Sequence, residues 1–165
     1  MKTLIVTLSF FMCCQLCAAQ ADNTHIDTNY ASEVSLALLA GYNYYGRSGV
    51  ELGITKKIVG GHIAVAGGVD ASMEVFRNQN WFIGPKVGFW VAGGFAWGMH
   101  LIYYTDFHRS SLQFRPAAGV GFDRFFFFYG WNVRITNKDF NPTSTNMFGM
   151  NFFFDVKKYW HKIVT

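Results

Sequence analysis

Residues 33–44 read EVSLALLAGYNY, and this stretch decides the fold class. Its even-numbered positions, from Val34 to Tyr44, are apolar, whereas most odd-numbered positions hold small or polar residues such as Ser35 and Asn43. Side chains along a β-strand point alternately to opposite faces, so this period of two predicts a strand with one apolar face.

The same alternation recurs seven more times, with turn-type residues between the segments. Each segment is long enough to cross a bilayer as a tilted strand, which takes roughly 9 to 11 residues. Strands of this kind joined in order by short turns predict an all-β fold, an eight-stranded antiparallel up-and-down transmembrane β-barrel. The further predicted strands cover residues 48–57, 62–75, 81–92, 95–106, 111–122, 125–136 and 146–157.

One segment has a competing interpretation. Residues 87–105 carry no Asp, Glu, Lys or Arg and are long enough for a membrane-spanning helix. Gly93 and Gly94 lie at the centre of the segment, and the period of two continues on both sides of them. We therefore predict a hairpin.

The size of the residues predicts which face is inside. The apolar face carries large residues such as Trp97, Phe127 and Phe154, whereas the other face is rich in glycine, for example Gly53 and Gly119. The interior of an eight-stranded barrel is only just wide enough for its side chains to fill it. We therefore expect the large apolar side chains to face outward into lipid.

Composition agrees with a membrane barrel and argues against other classes. Hydrophobic residues make up 51% and charged residues 15% of the chain, against about 25% charged in an ordinary soluble domain. A disordered chain would be more charged and less apolar. The charges are scattered, with no basic run longer than Lys56-Lys57 or Lys157-Lys158, so we expect no nucleic-acid partner.

The N-terminus has the layout of a secretory signal peptide over residues 1–19. Lys2 precedes an apolar run that ends at Cys17, and small residues follow, so cleavage is expected after Ala19 or Ala21. All three cysteines lie in this segment, so the mature chain would have no thiol nucleophile or disulfide. After it we predict a flexible polar leader over 20–32, the barrel over 33–158 and a C-terminal tail over 159–165.

Over residues 33–158 the chain resembles the small eight-stranded outer-membrane barrels, such as the OmpX-like proteins and the membrane domain of OmpA. The resemblance implies a monomer in the outer membrane of a Gram-negative cell, with outer-membrane lipid and the barrel insertion machinery as partners. Two features depart from that pattern. Such barrels usually end at an aromatic residue, whereas this chain continues to Thr165, and the predicted outer connections, including 137–145, are short.

Charged residues fall near the midpoints of the inward faces, where a membrane barrel has its lumen. Up-and-down strands would bring them to one level, which predicts a charge network that fills and seals the lumen. A proton or ion pathway and a buried acid/base site are the alternatives, because buried ionisable groups in membrane proteins are often functional. The predicted network consists of Glu51, Asp70, Lys86, His100, Arg115 and Arg134, with Asn151 at the same level.

No catalytic, metal-binding or cofactor-binding residue is predicted. His108 lies near Ser110 and Ser111, and lipid A deacylases use side chains of these types. A nucleophilic serine needs a base held by a third group, but alternation turns the nearby Asp106 towards the lumen. We therefore interpret these residues as ordinary polar residues of a loop. The histidines of the mature chain are not paired at a metal-ligand spacing. We therefore expect a non-enzymatic, porin-like barrel with a structural or surface-interaction role. A small channel and a membrane-embedded lipid-modifying enzyme are the alternatives.

Overall fold

The computed structural model describes residues 32–60, 65–78, 80–137 and 139–161. The predicted signal peptide over 1–19, and the predicted leader apart from its last residue, lie outside the described residues. No helix long and apolar enough to cross a membrane occurs in the described part of the chain. The strands are β1 (Ser32–Tyr44), β2 (Ser48–Gly60), β3 (Val65–Asn78), β4 (Asn80–Thr105), β5 (Ser110–Gly121), β6 (Phe125–Trp131), β7 (Val133–Arg134) and β8 (Asn146–His161).

These strands form one closed sheet. β1 pairs with β2 on one side and with β8 on the other, and every pairing is antiparallel. β4 crosses the wall twice, pairing with β3 over 80–92 and with β5 over 94–105. β6 and β7 together make one crossing between β5 and β8. The predicted eight-stranded antiparallel up-and-down barrel is therefore confirmed.

The strand boundaries differ from the prediction most at β4 and at β6 and β7, while β2 and β3 each end three residues later than predicted, at Gly60 and Asn78. The predicted strands 81–92 and 95–106 are one continuous strand, β4, which turns at Gly94 with a φ of 91°, a left-handed conformation that glycine adopts without a steric penalty. The predicted strand 125–136 ends at Arg134 and is interrupted at Asn132, whose side chain bonds to Arg115 and to the Ser144 carbonyl. β8 also continues to His161, three residues into the predicted tail.

Burial alternates along the strands. In β1, Leu38 is 52% exposed and Leu39 only 1% exposed, although the two are neighbours with the same side chain. Large aromatic side chains are also buried inside the barrel, and glycines make room for them. A Cβ on Gly84 would lie 2.5 Å from the ring of Tyr104, and one on Gly149 would lie 2.3 Å from the ring of Phe128.

The two ends of the barrel are closed differently. We call the end with connections 45–47, 106–109 and 135–145 the loop end, and the end with 93–94 and 122–124 the turn end. The prediction treats residues 137–145 as a short outer connection, but the segment 135–145 folds over the loop end. Phe140 is buried there, with its ring 5.9 Å from that of Phe82, and Thr143 donates a hydrogen bond to Gln113 at 3.0 Å.

Candidate functional site

A cluster of charged side chains lies in the middle of the lumen. Glu51 of β2 stands directly opposite Glu74 of β3, an arrangement that is repulsive unless cations intervene. Lys86 of β4 places its Nζ 2.5 Å from Glu51 Oε1 and 3.6 Å from Glu74 Oε1. Arg115 of β5 binds Glu74 through both ends of its guanidinium group. Two carboxylates and two cations thus balance, and all four side chains are fully buried.

Tyr104 and Asn132 complete the surroundings of Arg115. Arg115 Nη2 donates to the Tyr104 hydroxyl at 2.5 Å, and that hydroxyl donates to Glu74. Arg115 Nε donates to Asn132 Oδ1 at 2.7 Å. Because each guanidinium nitrogen has a buried acceptor, the arrangement meets the hydrogen-bonding requirement of a charge removed from water. We refer to Glu51, Glu74, Lys86, Tyr104 and Arg115 as the lumen cluster.

The far side of the lumen cluster is held by neutral donors. Asn43 Nδ2 donates to Glu51 Oε2 at 3.0 Å, and Ser72 Oγ donates to Glu51 Oε1 at 2.7 Å. Both donors come from strands that flank β2, so Glu51 joins β1, β2 and β3 from inside the barrel. The contacts therefore fix the relative register of three strands.

The predicted network residues separate into groups. Glu51, Lys86 and Arg115 lie together in the lumen cluster. Asp70 and His100 face each other nearer the turn end, with 3.8 Å between Asp70 Oδ1 and His100 Nε2. The prediction places Asp70 beside Lys86, but Lys86 ion-pairs with Glu51. The register explains the difference, because Ser72 stands opposite Lys86 and Asp70 stands opposite Gly88.

The last two predicted residues differ in position. Arg134 is half-buried in β7, opposite Gln113 and towards the loop end. Asn151 is buried in β8 opposite Gly41 of β1, and Gly41 is also the register partner of Glu51, so Asn151 lies in the row of the lumen cluster. Sequence reasoning missed Glu74, although Glu74 shares the inward face of β3 with Asp70. The missing information was the register between β2 and β3, which alternation does not supply.

A second set of charged side chains lies at the turn end. Lys57 of β2 is almost fully buried, and its Nζ is 2.8 Å from Asp155 Oδ1 and 2.9 Å from the Asp123 carbonyl. Ser35 Oγ donates to the same Asp155 oxygen at 3.2 Å. These contacts tie β1, β2, β8 and the connection 122–124 together across the turn end.

Aromatic rings fill the lumen between the lumen cluster and the loop end. The rings of Tyr45 and Phe76 meet edge to face with centroids 4.8 Å apart, and Phe76 stacks on Phe82 at 5.0 Å. Phe82 contacts Phe140 in the segment 135–145, and Arg109 lies 4.9 Å over the Phe140 ring. The segment is therefore anchored to the barrel by packing and by a cation–π contact.

The group around His108 forms a turn. Asp106 Oδ1 accepts hydrogen bonds from the backbone N–H groups of Arg109 and His108, and these bonds hold the pKa of Asp106 below its ordinary value. Ser111 Oγ donates to the Thr136 carbonyl at 2.8 Å. A nucleophilic serine needs a base within hydrogen-bond reach, but Ser111 bonds to Thr136 and the His108 ring contacts the Asp106 carbonyl at 3.3 Å through Nδ1. Among the described residues, no three His, Cys, Asp or Glu side chains converge as metal ligands.

Comparison of the chain with protein-family models, curated proteins and solved structures finds no match. The fold is therefore known from the strand pairing of this molecule, and it is compatible with a small outer-membrane barrel.

Proposed function

We propose that this chain is an outer-membrane β-barrel with a sealed lumen and a structural or surface-interaction role. The observation that carries the proposal is the distribution of side chains across the wall. Glu74, Lys86 and Arg115 are buried inside, whereas outward residues such as Leu52 and Phe148 are 68% and 62% exposed. Monomeric soluble proteins rarely expose contiguous apolar surface of more than a few hundred Å². In a bilayer the same apolar side chains would contact lipid acyl chains instead of water.

Closure of the sheet supports the same proposal. A bilayer has no water to bond free backbone groups, so strands can span it only as a closed barrel without edges. Here β1 pairs with β8 from Ser32 to Tyr44, with one bulge between Leu36 and Ala37, and leaves no open edge between the ends of the chain. A closed sheet suits a membrane, whereas a sheet in water can leave an edge strand exposed because water bonds to its free backbone groups.

The proposal includes an orientation and a set of partners. In outer-membrane barrels the periplasmic turns are short and the outer loops are longer. Of the described connections, 93–94 and 122–124 have two and three residues, whereas 45–47, 106–109 and 135–145 have three, four and eleven. The longest connection therefore lies at the loop end, so the turn end would face the periplasm and the loop end the outside. Export through a cleaved signal peptide, insertion by the barrel machinery, contact with outer-membrane lipid and a monomeric state belong to the same proposal.

A sealed lumen is supported by three successive layers. The ring packing of Phe76 and Phe82 lies towards the loop end, the lumen cluster lies in the middle, and Trp90 stacks on Phe153 at 4.5 Å towards the turn end. The charges of the lumen cluster bond to each other, so they are engaged in structure. The proposal assigns the barrel no reaction and no steady ion conductance.

Fractionation and gel mobility test the proposal directly. After expression in a Gram-negative host, the chain should sediment with outer membranes, and unheated and boiled samples should migrate differently on a denaturing gel. Reconstitution in planar bilayers should give no reproducible single-channel current, and expression should leave the mass of lipid A unchanged. Recovery as a soluble protein without detergent would contradict the barrel's membrane assignment. Single-channel currents would favour the channel, and a changed lipid A mass would favour the enzyme.

A further inference from the structure

The outward face of the barrel wall carries few charges. Among the described outward positions, the charged side chains are Lys56, Arg77 and Lys157. Arg77 lies next to the end of β3, at the loop end. Lys56 and Lys157 lie within the wall nearer the turn end, and both are register partners of Leu36 in β1, one on each side. Lys56 and Lys157 therefore lie in the same row of outward residues, on either side of Leu36.

Lys56 differs from its neighbour in the way its charge is balanced. Lys57 points inward and binds Asp155, whereas Lys56 points outward and is exposed. In the part of the chain that the structure describes, no carboxylate lies within ion-pairing distance of the Lys56 ammonium group. A cation on a lipid-facing wall is costly at depth, and the cost falls towards the membrane interface. An anion supplied from outside the chain would remove the imbalance.

A groove in the outer wall extends from the row of Lys56 towards the turn end. It has a volume of about 460 Å³, within the range of roughly 300 to 1,000 Å³ that is typical of small-molecule sites. Its lining is otherwise apolar and spans three neighbouring strands. The residues that line it include Lys56, Ile58, Gly67, Val69, Phe89 and Val91.

Gly67 makes the groove. It is an outward position of β3, standing between Ile58 of β2 and Val91 of β4, and it contributes no side chain to the wall. A Cβ built on Gly67 would be 3.4 Å from the Trp90 carbonyl oxygen and 3.6 Å from Val91 Cγ2, so a larger side chain fits without moving the backbone. The groove can therefore be filled by substitution while the barrel stays intact.

We propose that this groove binds one anionic glycerophospholipid. The Lys56 stem carries its ammonium group towards the turn end to hold the lipid phosphate, and an acyl chain runs from Val91 past Phe89 and Val69 into the bilayer. The proposal rests on the membrane location and orientation proposed above, which place the turn end in the periplasmic leaflet. The Lys56 ammonium group matches the negative charge of the lipid phosphate, and the apolar lining of the groove matches an acyl chain. The long aliphatic stem of lysine also lets its ammonium group reach the headgroup level.

Native mass spectrometry of the folded full-length barrel in detergent tests the site. The barrel is titrated with phosphatidylglycerol and, separately, with phosphatidylcholine of the same acyl chains. We expect one phosphatidylglycerol to bind, about fivefold more tightly than phosphatidylcholine, as one basic side chain near a lipid surface provides. Lys56→Gln should abolish that preference, and Gly67→Leu should weaken binding of both lipids at least tenfold.

Two matched variants act as controls. Arg124→Gln removes an exposed cation from the connection 122–124 at the same end, and Val120→Leu enlarges an outward side chain outside the groove. Both should bind phosphatidylglycerol like the unmodified chain. A heat-dependent gel shift in every variant confirms that each barrel is folded.

Several outcomes would overturn the site. One is equal binding of phosphatidylglycerol by the unmodified chain, Lys56→Gln and Gly67→Leu. Tighter binding of lipid A than of phosphatidylglycerol would also overturn it, as would a dimer that Gly67→Leu abolishes, since a second copy would then fill the groove. Absence of the heat-dependent shift from the unmodified chain would instead contradict the membrane barrel itself.

Discussion

Inside the barrel, Glu74 and Arg115 are fully buried and bonded to each other, whereas on the outer wall Leu52 and Phe148 are more than half exposed and apolar. A water-soluble protein distributes these residue types in the opposite way, because burying charge is costly and burying apolar surface is favourable. The two faces of one strand are therefore stabilised by separate interactions. Ion pairs stabilise the inward side chains, and contact with the surrounding medium stabilises the outward ones.

The inside should be the more sensitive face. Replacing Arg115 with Leu leaves Glu74 buried without its bidentate partner, and removing one member of a buried pair commonly costs about 3 to 5 kcal/mol. The free energy of unfolding in urea, followed by the heat-dependent gel shift, should fall by that amount. Arg124→Leu, at an exposed arginine, should change it little. Equal tolerance of the two changes would show that the lumen cluster does not stabilise the barrel.

A charge on the outside should be the next most damaging change. Phe127 faces outward in β6, two residues after the start of that strand, and an arginine on a lipid face costs about 2 to 4 kcal/mol at the bilayer midplane and less towards the interface. Phe127→Arg should therefore reduce the yield of folding into lipid vesicles, while Phe127→Leu should fold nearly as well as the unmodified chain. If Phe127→Arg folded normally, the outer wall would not lie in lipid.

A double-mutant cycle identifies the ion-pair partner of Lys86 inside the barrel. Lys86→Met leaves Glu51 without its cation, so adding Glu51→Gln should restore part of the lost stability, with a coupling of about 0.5 to 3 kcal/mol. Asp70→Asn added to Lys86→Met is the matched control and should restore less. Unfolding free energies in urea measure both cycles. Greater recovery of stability with Asp70→Asn would indicate that Lys86 pairs with Asp70 and not with Glu51.

The smallest effect is expected where the segment 135–145 meets the wall. Thr143→Val removes the hydrogen bond to Gln113, and a neutral hydrogen bond contributes about 0.5 to 1.5 kcal/mol. Protease cleavage within 135–145 should become faster, while the urea midpoint of the barrel should move only slightly. A large shift of the midpoint would mean that this segment is part of the cooperative unit of the barrel.

Alternation was sufficient to predict the fold. A period of two in β1 identifies Leu38 and Leu39 as residues of opposite faces, and glycine on the inward face predicts a narrow lumen. Strand ends were less predictable. The Asn132 side chain forms contacts to Arg115 and Ser144 that no local pattern reveals.

The candidate site was only partly predictable. Glu51, Lys86 and Arg115 were recognised from their inward positions, but their partners depend on strand register and on the reach of long side chains. Lys86 stands opposite Ser72 of β3 and reaches past it to Glu51 of β2. The segment 135–145 has no periodicity, so the burial of Phe140 could not be predicted from sequence.

Spin-label accessibility along the outer wall measures whether this wall lies in lipid. Single cysteines replace Leu52, Val87, Phe127 and Phe148, four exposed outward residues, and the labelled barrels are reconstituted in lipid bilayers. We expect all four labels to collide more with oxygen, which partitions into lipid, than with a water-soluble nickel chelate. Greater access of the nickel chelate at these positions would place the outer wall in water and contradict the account.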